Sequence, residues 1–190
     1  MNKPIDKQLR KSRLKLLLIA GIFAAPFVVA MVLTLTGWQP GAKGHGEPIM
    51  PQRNFAQEGV QVQLDNGQVW PWRDSAPRLT LIALAGPDCA ARCLDALTAM
   101  AKARVMLNRN QSSLRLLYIG VPPTDASQLN TMRNYWQLGN DVGQKLDAYR
   151  PTTPDSVSAV LVESNGTALS LYPAGFDASG LLQDMQKVIH

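Results

Sequence analysis

The 190-residue chain contains two cysteines, Cys89 and Cys93, with three residues between them. Two sulfurs this close can do three kinds of chemistry. As thiolates they offer soft ligands suited to Cu(I). As a dithiol they can pass electrons by thiol–disulfide exchange. As a permanent disulfide they would staple a turn, adding little stability because the closed loop is short. The bland alternative, two small buried apolar side chains, fits poorly with the chain's only cysteines standing side by side. At a helix N-terminus the macrodipole and free N–H groups would favour a thiolate at the first sulfur. Spacing of i, i+4 on that helix would put both sulfurs on one face. Arg92 favours the thiolate and Asp88 opposes it.

The surrounding pattern supplies such a junction. Residues 79–85 (LTLIALA) are apolar almost throughout, as in a strand buried on both faces. Gly86-Pro87-Asp88 breaks the strand, and the spacing predicts a helix over 89–107 with Leu94, Leu97, Ala101 and Val105 on its apolar stripe. Upstream, 60–64 alternates, Asp65-Asn66-Gly67 offers a hairpin turn, and 68–70 resumes, with Trp70 and Trp72 directed to one face. Downstream, 114–121 (LRLLYIGV) reads as a second central strand ended by Pro122-Pro123. Thr124 or Asp125 caps a helix running to about Trp136, and a shorter helix is expected between Asp141 and Tyr149. Residues 157–163 and 167–172 form a hairpin around Ser164-Asn165-Gly166. Asp177 caps a last helix whose face is Leu181, Leu182, Met185, Val188 and Ile189. This order is that of an α/β, thioredoxin-like mixed sheet flanked by helices on both faces. Tyr135, Trp136 and Tyr149 either mark a partner surface or fill the core, the latter being the commoner use of such residues.

Charge and hydropathy locate the domain. Of 19 basic and 14 acidic residues, six basic groups and one acid, Asp6, lie in residues 1–15, so the remainder is neutral. A nucleic-acid-binding domain would carry its basic excess on the folded part, so that class is excluded. Residues 16–37 (LLLIAGIFAAPFVVAMVLTLTG) hold no charge, and 22 residues of helix reach about 30 Å, the thickness of a bilayer core. The run exceeds the apolar region of a cleaved signal peptide and lacks a small-x-small site. The basic tail places the N-terminus in the cytoplasm. The expectation is a bacterial inner-membrane protein with a cytoplasmic tail over 1–15, one transmembrane helix over 16–37, a flexible Pro/Gly spacer over 38–54 and a periplasmic domain over 55–190. His45, between two glycines of the spacer, reads as a solvated linker residue.

An apolar anchor, a Pro/Gly spacer, then strand, Cys-x3-Cys and helix resembles the Sco family, thioredoxin-like copper proteins of cytochrome c oxidase assembly. The likeness runs from about Phe55 to the C-terminus, through LDNGQVW, LIALAGPDCAARC, LRLLYIGV and AVLVESNG. It implies a factor in oxidase biogenesis that uses Cys89 and Cys93 for thiol–disulfide exchange or transient copper handling. Its partners would be cytochrome c oxidase subunits or other assembly factors. In that family copper is held by both cysteines and a distal histidine about ten residues before the hairpin glycine. Here that count reaches Asp155, while the chain's histidines are His45 and His190. Ala90 and Leu94 stand where many members have proline. Asp155 is a hard oxygen donor, poor for Cu(I) and better suited to Cu(II). Met100 and Met106 are soft but lie on the helix, where they read as core filler. Pro154 falls near the position where thioredoxin-like folds place a cis-proline facing the cysteines. With no Gly-rich phosphate loop, no HExxH and no acid/base pair, hydrolase chemistry has no residues to carry it. The competing class is a non-catalytic oxidase assembly or docking protein whose cysteine pair is only a structural disulfide. A free-standing oxidoreductase unconnected with respiration is a third.

Overall fold

A computed structural model describes residues 5–36 and 44–189, which fall into two compact units, Met1–Lys43 and Gly44–His190. The first contributes one helix, α1 (Ile5–Thr36), which takes in the uncharged run as far as Thr36 and most of the basic tail. Lys, Arg, Leu and Gln are good helix formers, so nothing stops the helix where the charges begin. Most of its described apolar side chains are exposed, Phe23 and Phe27 among them. Among the described residues no helix is long and apolar enough to cross a membrane. Within the apolar part of α1 the side chains are described without a break over 18–34, about 25 Å of helix. Gly37, Trp38 and the first part of the spacer lie outside the described residues.

The second unit is built on seven strands: β1 (Glu47–Pro48), β2 (Val62–Leu64), β3 (Leu79–Ala85), β4 (Leu114–Ile119), β5 (Gln137–Asp141), β6 (Val157–Val162) and β7 (Ala168–Tyr172). Three helices join them, α2 (Ala91–Met106), α3 (Ala126–Arg133) and α4 (Ala178–Val188). The strands lie in the order β1-β7-β6-β3-β4-β5-β2. Parallel pairing joins β3 to β4 and β4 to β5, and antiparallel pairing joins the rest. Every residue of β3 is buried. Successive side chains of a strand point to opposite faces. Leu79, Leu81, Ala83 and Ala85 accordingly join one core cluster, and Ile82 and Leu84 the other.

Several expectations are corrected here. The α-helices do not cover both faces: the buried apolar side chains of α2, α3 and α4 belong to the first cluster. The opposite face is closed by Phe55, Val60, Trp70, Trp72 and Leu146 from irregular segments. Trp72 can be buried there because its Nε1–H donates to Val60 O at 2.6 Å. The region 141–149 holds a single 3₁₀ turn, Asp147–Tyr149, and not a helix of nine residues. Before it comes β5, a strand missed because QLGND is largely polar; it is fixed by its neighbours β4 and β2, not by its own pattern. Val105, Met106 and Val188 are exposed, so the apolar faces of α2 and α4 are narrower than the periodicity suggests. Of the aromatics, Trp136 is core and Tyr149 half-buried, but Tyr135 is exposed.

The segment read as spacer enters the folded unit well before Phe55. Residues Glu47 and Pro48 pair with β7. The backbone N–H groups of His45 and Gly46 donate to Asp184 Oδ2 at 2.5 and 3.1 Å. Proline and glycine content marks irregular backbone, and irregular backbone can still be tied down by hydrogen bonds to a fixed carboxylate.

Candidate functional site

The pairing of β3 with β6 creates the site. Ala85 lies opposite Val157, so the chain leaving β3 and the chain entering β6 emerge side by side. The first carries residues 86–90 and the second 153–156. Gly86 makes the close approach possible: its N–H donates to Ser156 O at 2.9 Å, and a Cβ added there would stand 2.6 Å from Thr153 O. Arg150 Nη1 ties the same corner by donating to Ala85 O at 2.7 Å.

Cys89 and Cys93 are joined as a disulfide, with Cα atoms 5.1 Å apart. The expected helix over 89–107 begins later, at Ala91, so Cys89 lies in the loop and only Cys93 in the first turn. The i, i+4 argument therefore does not bring the sulfurs together; the curvature of the loop into α2 does. Cys93 is fully buried against the first core cluster, whereas Cys89 is half-buried at its edge. An incoming sulfur has access to Cys89 and not to Cys93.

The N-cap of α2 is Ala90, which has no side chain able to accept the orphan N–H groups of the first turn. Asp155 accepts them from the adjacent loop before β6. Its Oδ1 accepts from the backbone N–H of Ala90 at 2.9 Å and of Cys93 at 2.9 Å. Its Oδ2 accepts from Arg92 N at 3.1 Å and from Arg92 Nε at 3.4 Å. The hydrogen bond from Cys93 N–H, with those from Arg92 and Ala90, holds the Asp155 carboxyl below the usual carboxylate range. In return Asp88 Oδ1 accepts the backbone N–H of Asp155 at 2.7 Å. Asp155 adopts φ +48°, a left-handed conformation that Asp tolerates better than most residues. The cysteine loop and the loop before β6 thus clamp each other through two carboxylates.

Each residue singled out in the sequence has a place in this arrangement or outside it. Asp155 does reach the cysteines, as a helix cap. Arg92 is exposed and paired with Asp155. Pro154 is not a cis-proline facing the cysteines: among the described residues the only cis peptide bond is Met50–Pro51. Met100 is core, but Met106 is 58% exposed on α2 and fills no core space. His45 is tethered to α4, with Nε2 3.3 Å from Gln183 Oε1, and His190 lies outside the described residues. The role of Asp88 was missed, since sequence gave it only a charge. With the helix expected from Cys89, Asp88 stood at its cap position, so nothing in the sequence signalled that the acceptor would come from Asp155.

With the pair oxidised, the residues around it do not form a copper site, and reduction would free two thiolates as soft ligands. Among the described residues no group of three or more His, Cys, Asp or Glu is arranged to hold a metal. Both Asp155 oxygens are taken by N–H donors, and the sulfurs are bonded to each other. What the arrangement can do chemically is exchange its disulfide at Cys89.

A mixed sheet with a disulfide at the junction of a central strand and the following helix defines a thioredoxin-like protein. More narrowly, residues 79–190 match the family described as transmembrane-like, thioredoxin-like, C-terminal domain, and the chain belongs to that family. Solved structures of Sco proteins share the fold. Apo Sco1 from Thermus thermophilus is 13% identical, with a TM-score of 0.52 over 78% of this chain and 100% of that one. Copper-bound ScoI from Arabidopsis thaliana is 16% identical, with a TM-score of 0.50 over 75% of this chain and 96% of that one. No curated protein matches the chain.

Proposed function

We propose that this protein is a membrane-anchored thiol–disulfide exchange factor that acts on partner proteins in cytochrome c oxidase biogenesis. The observation that carries the chemistry is the asymmetry of the pair, an accessible Cys89 bonded to a fully buried Cys93. In the dithiol state the Cys89 thiolate attacks a partner disulfide. One partner sulfur leaves as a thiolate and takes up a proton, and a mixed disulfide forms. Cys93 then gives up its proton, attacks Cys89 Sγ, releases the second partner sulfur and restores the Cys89–Cys93 bond. Two electrons and two protons pass from the pair to the partner.

Anchoring is supported by the uncharged run in α1, by its exposed apolar side chains and by the family's description. The basic tail sets the domain on the periplasmic side of a bacterial inner membrane. The role in oxidase assembly, with oxidase subunits or other assembly factors as partners, rests on the likeness to Sco proteins. Transient copper handling is the second reading, favoured by the copper-bound ScoI that shares the fold.

The test is exchange between the reduced full chain, in a mild detergent, and a disulfide-bonded peptide with the spacing of an oxidase copper-site pair. Wild type reacts, Cys89→Ser loses at least 100-fold in rate, and Cys93→Ala accumulates the mixed disulfide. Equal rates in wild type and Cys89→Ser would rule the exchange reading out. Titration of the reduced chain with Cu(I) against a competing chelator decides the copper reading: one-to-one binding lost in the double cysteine variant supports it, and absence of binding removes it.

A further inference from the structure

We infer that Asp155 is a positioning residue that makes the Cys89–Cys93 pair more strongly reducing, by filling with a carboxylate the N–H donors that would otherwise stabilise a developing thiolate. The inference rests on the exchange reading above and concerns the energetics of the same pair. In a helix whose N-terminus is free, backbone N–H groups and the dipole favour negative charge on a sulfur in the first turn, and this stabilises the reduced form. Here three of those N–H groups, from Ala90, Arg92 and Cys93, already donate to Asp155. One of them is the N–H of Cys93 itself. The acceptor is a carboxylate whose side chain is only 17% exposed, and its partner Arg92, 3.4 Å away, is 78% exposed and so offsets that charge only in part.

Opening the disulfide shows where this acts. A dithiol reductant attacks Cys89 Sγ, the Cys89–Cys93 bond breaks, and Cys93 leaves as an anion that must find a proton. The reductant's second thiol then attacks the mixed disulfide and releases Cys89, so that two electrons and two protons enter the pair. Each departing anion meets a first turn whose donors are committed and whose neighbour is another anion. The oxidised form gives up nothing to Asp155, because disulfide sulfurs carry no charge. The clamp therefore favours the disulfide, which is what a donor of electrons to partner disulfides requires. The contact between Asp88 and the Asp155 N–H fixes the carboxylate in this place.

The experiment equilibrates the full chain in detergent with dithiol/disulfide buffers at pH 7 under argon and traps free thiols with a maleimide. Asp155→Asn keeps the size and one acceptor oxygen but removes the charge. Its midpoint is expected to shift to less negative potential, with a change of at least tenfold in the equilibrium constant, about 30 mV for two electrons. Asp155→Glu, which keeps the charge, should return toward wild type. Should Asp155→Asn fail to fold, Asp155→Asn/Ala90→Ser supplies a neutral local cap and reads the same shift. A shift below threefold, or toward more negative potential, overturns the inference, since a merely structural cap would lower stability and leave the potential alone. The outcome is independent of the exchange reading: small dithiols report the potential even where the partner peptide does not react.

Discussion

Helices α2 and α4 lie on the same face of the sheet and bury comparable apolar stripes, yet they begin in opposite ways. At α4 the cap is local: Asp177 accepts from the backbone N–H of Ser179 and Gly180, each at 3.1 Å. At α2 the cap is supplied by Asp155, 62 residues beyond Cys93. A local cap is indifferent to the rest of the fold. A cap from another loop makes the start of the helix, and the cysteines with it, depend on the register between β3 and β6. It also leaves an anion beside the sulfurs, which Ala90 alone would not do.

The comparison can be broken or sharpened by substitution. Where the two helices are alike, the effects should match: Leu97→Ala in α2 and Leu181→Ala in α4 each remove a buried side chain and should each cost about 2–5 kcal/mol in chemical denaturation. Where they differ, only α2 should respond. Gly86→Ala presses a Cβ against Thr153 O, and the backbone shift it forces should cost about 1–3 kcal/mol while separating the two clamped loops. Loss of the crosspeak between the Ala90 and Asp155 regions in an NMR spectrum would accompany it.

Cap deletions come next. Asp125→Ala at α3, where the side chain accepts from Gln128 N at 2.9 Å, should cost about 1 kcal/mol. Asp155→Ala should lower the melting temperature further than Asp125→Ala, because it orphans three backbone donors, and Ala90→Ser added to it should recover part of the loss. Equal melting temperatures for the two alanine variants would mean that the remote cap contributes no more than an ordinary one.

The smallest effect is in acid. Asp155, through the N–H of Cys93 above all, and Asp177, through Ser179, are both held below the usual carboxylate range. A carboxyl whose folded value is depressed stabilises the fold above its unfolded value of about 3.9 and loses that contribution as pH falls through the folded value. Melting temperature should therefore drop below about pH 4. Asp155→Asn should flatten the part of that drop due to α2, and Asp177→Asn the part due to α4.

Much of the molecule was legible in the sequence because the signals were local. The run 79–85 is β3 residue for residue, Asp177 caps α4, and Gly166, at φ +91°, makes the turn between β6 and β7. These follow from apolar content and from the backbone freedom of single residues. The sequence by itself also determined that the two cysteines stand with three residues between them at the end of an apolar strand and that an uncharged run of 22 residues precedes the domain. Only the tertiary structure decided the rest. β5 exists because β4 and β2 flank it; its own residues carry too little apolar periodicity to demand a strand. Asp155 was reached by counting along the chain, but its chemistry was set by what it faces. A carboxylate is a ligand, a base or a cap according to the donors around it. Those donors belong to residues more than sixty positions away, brought there by the pairing of β3 with β6.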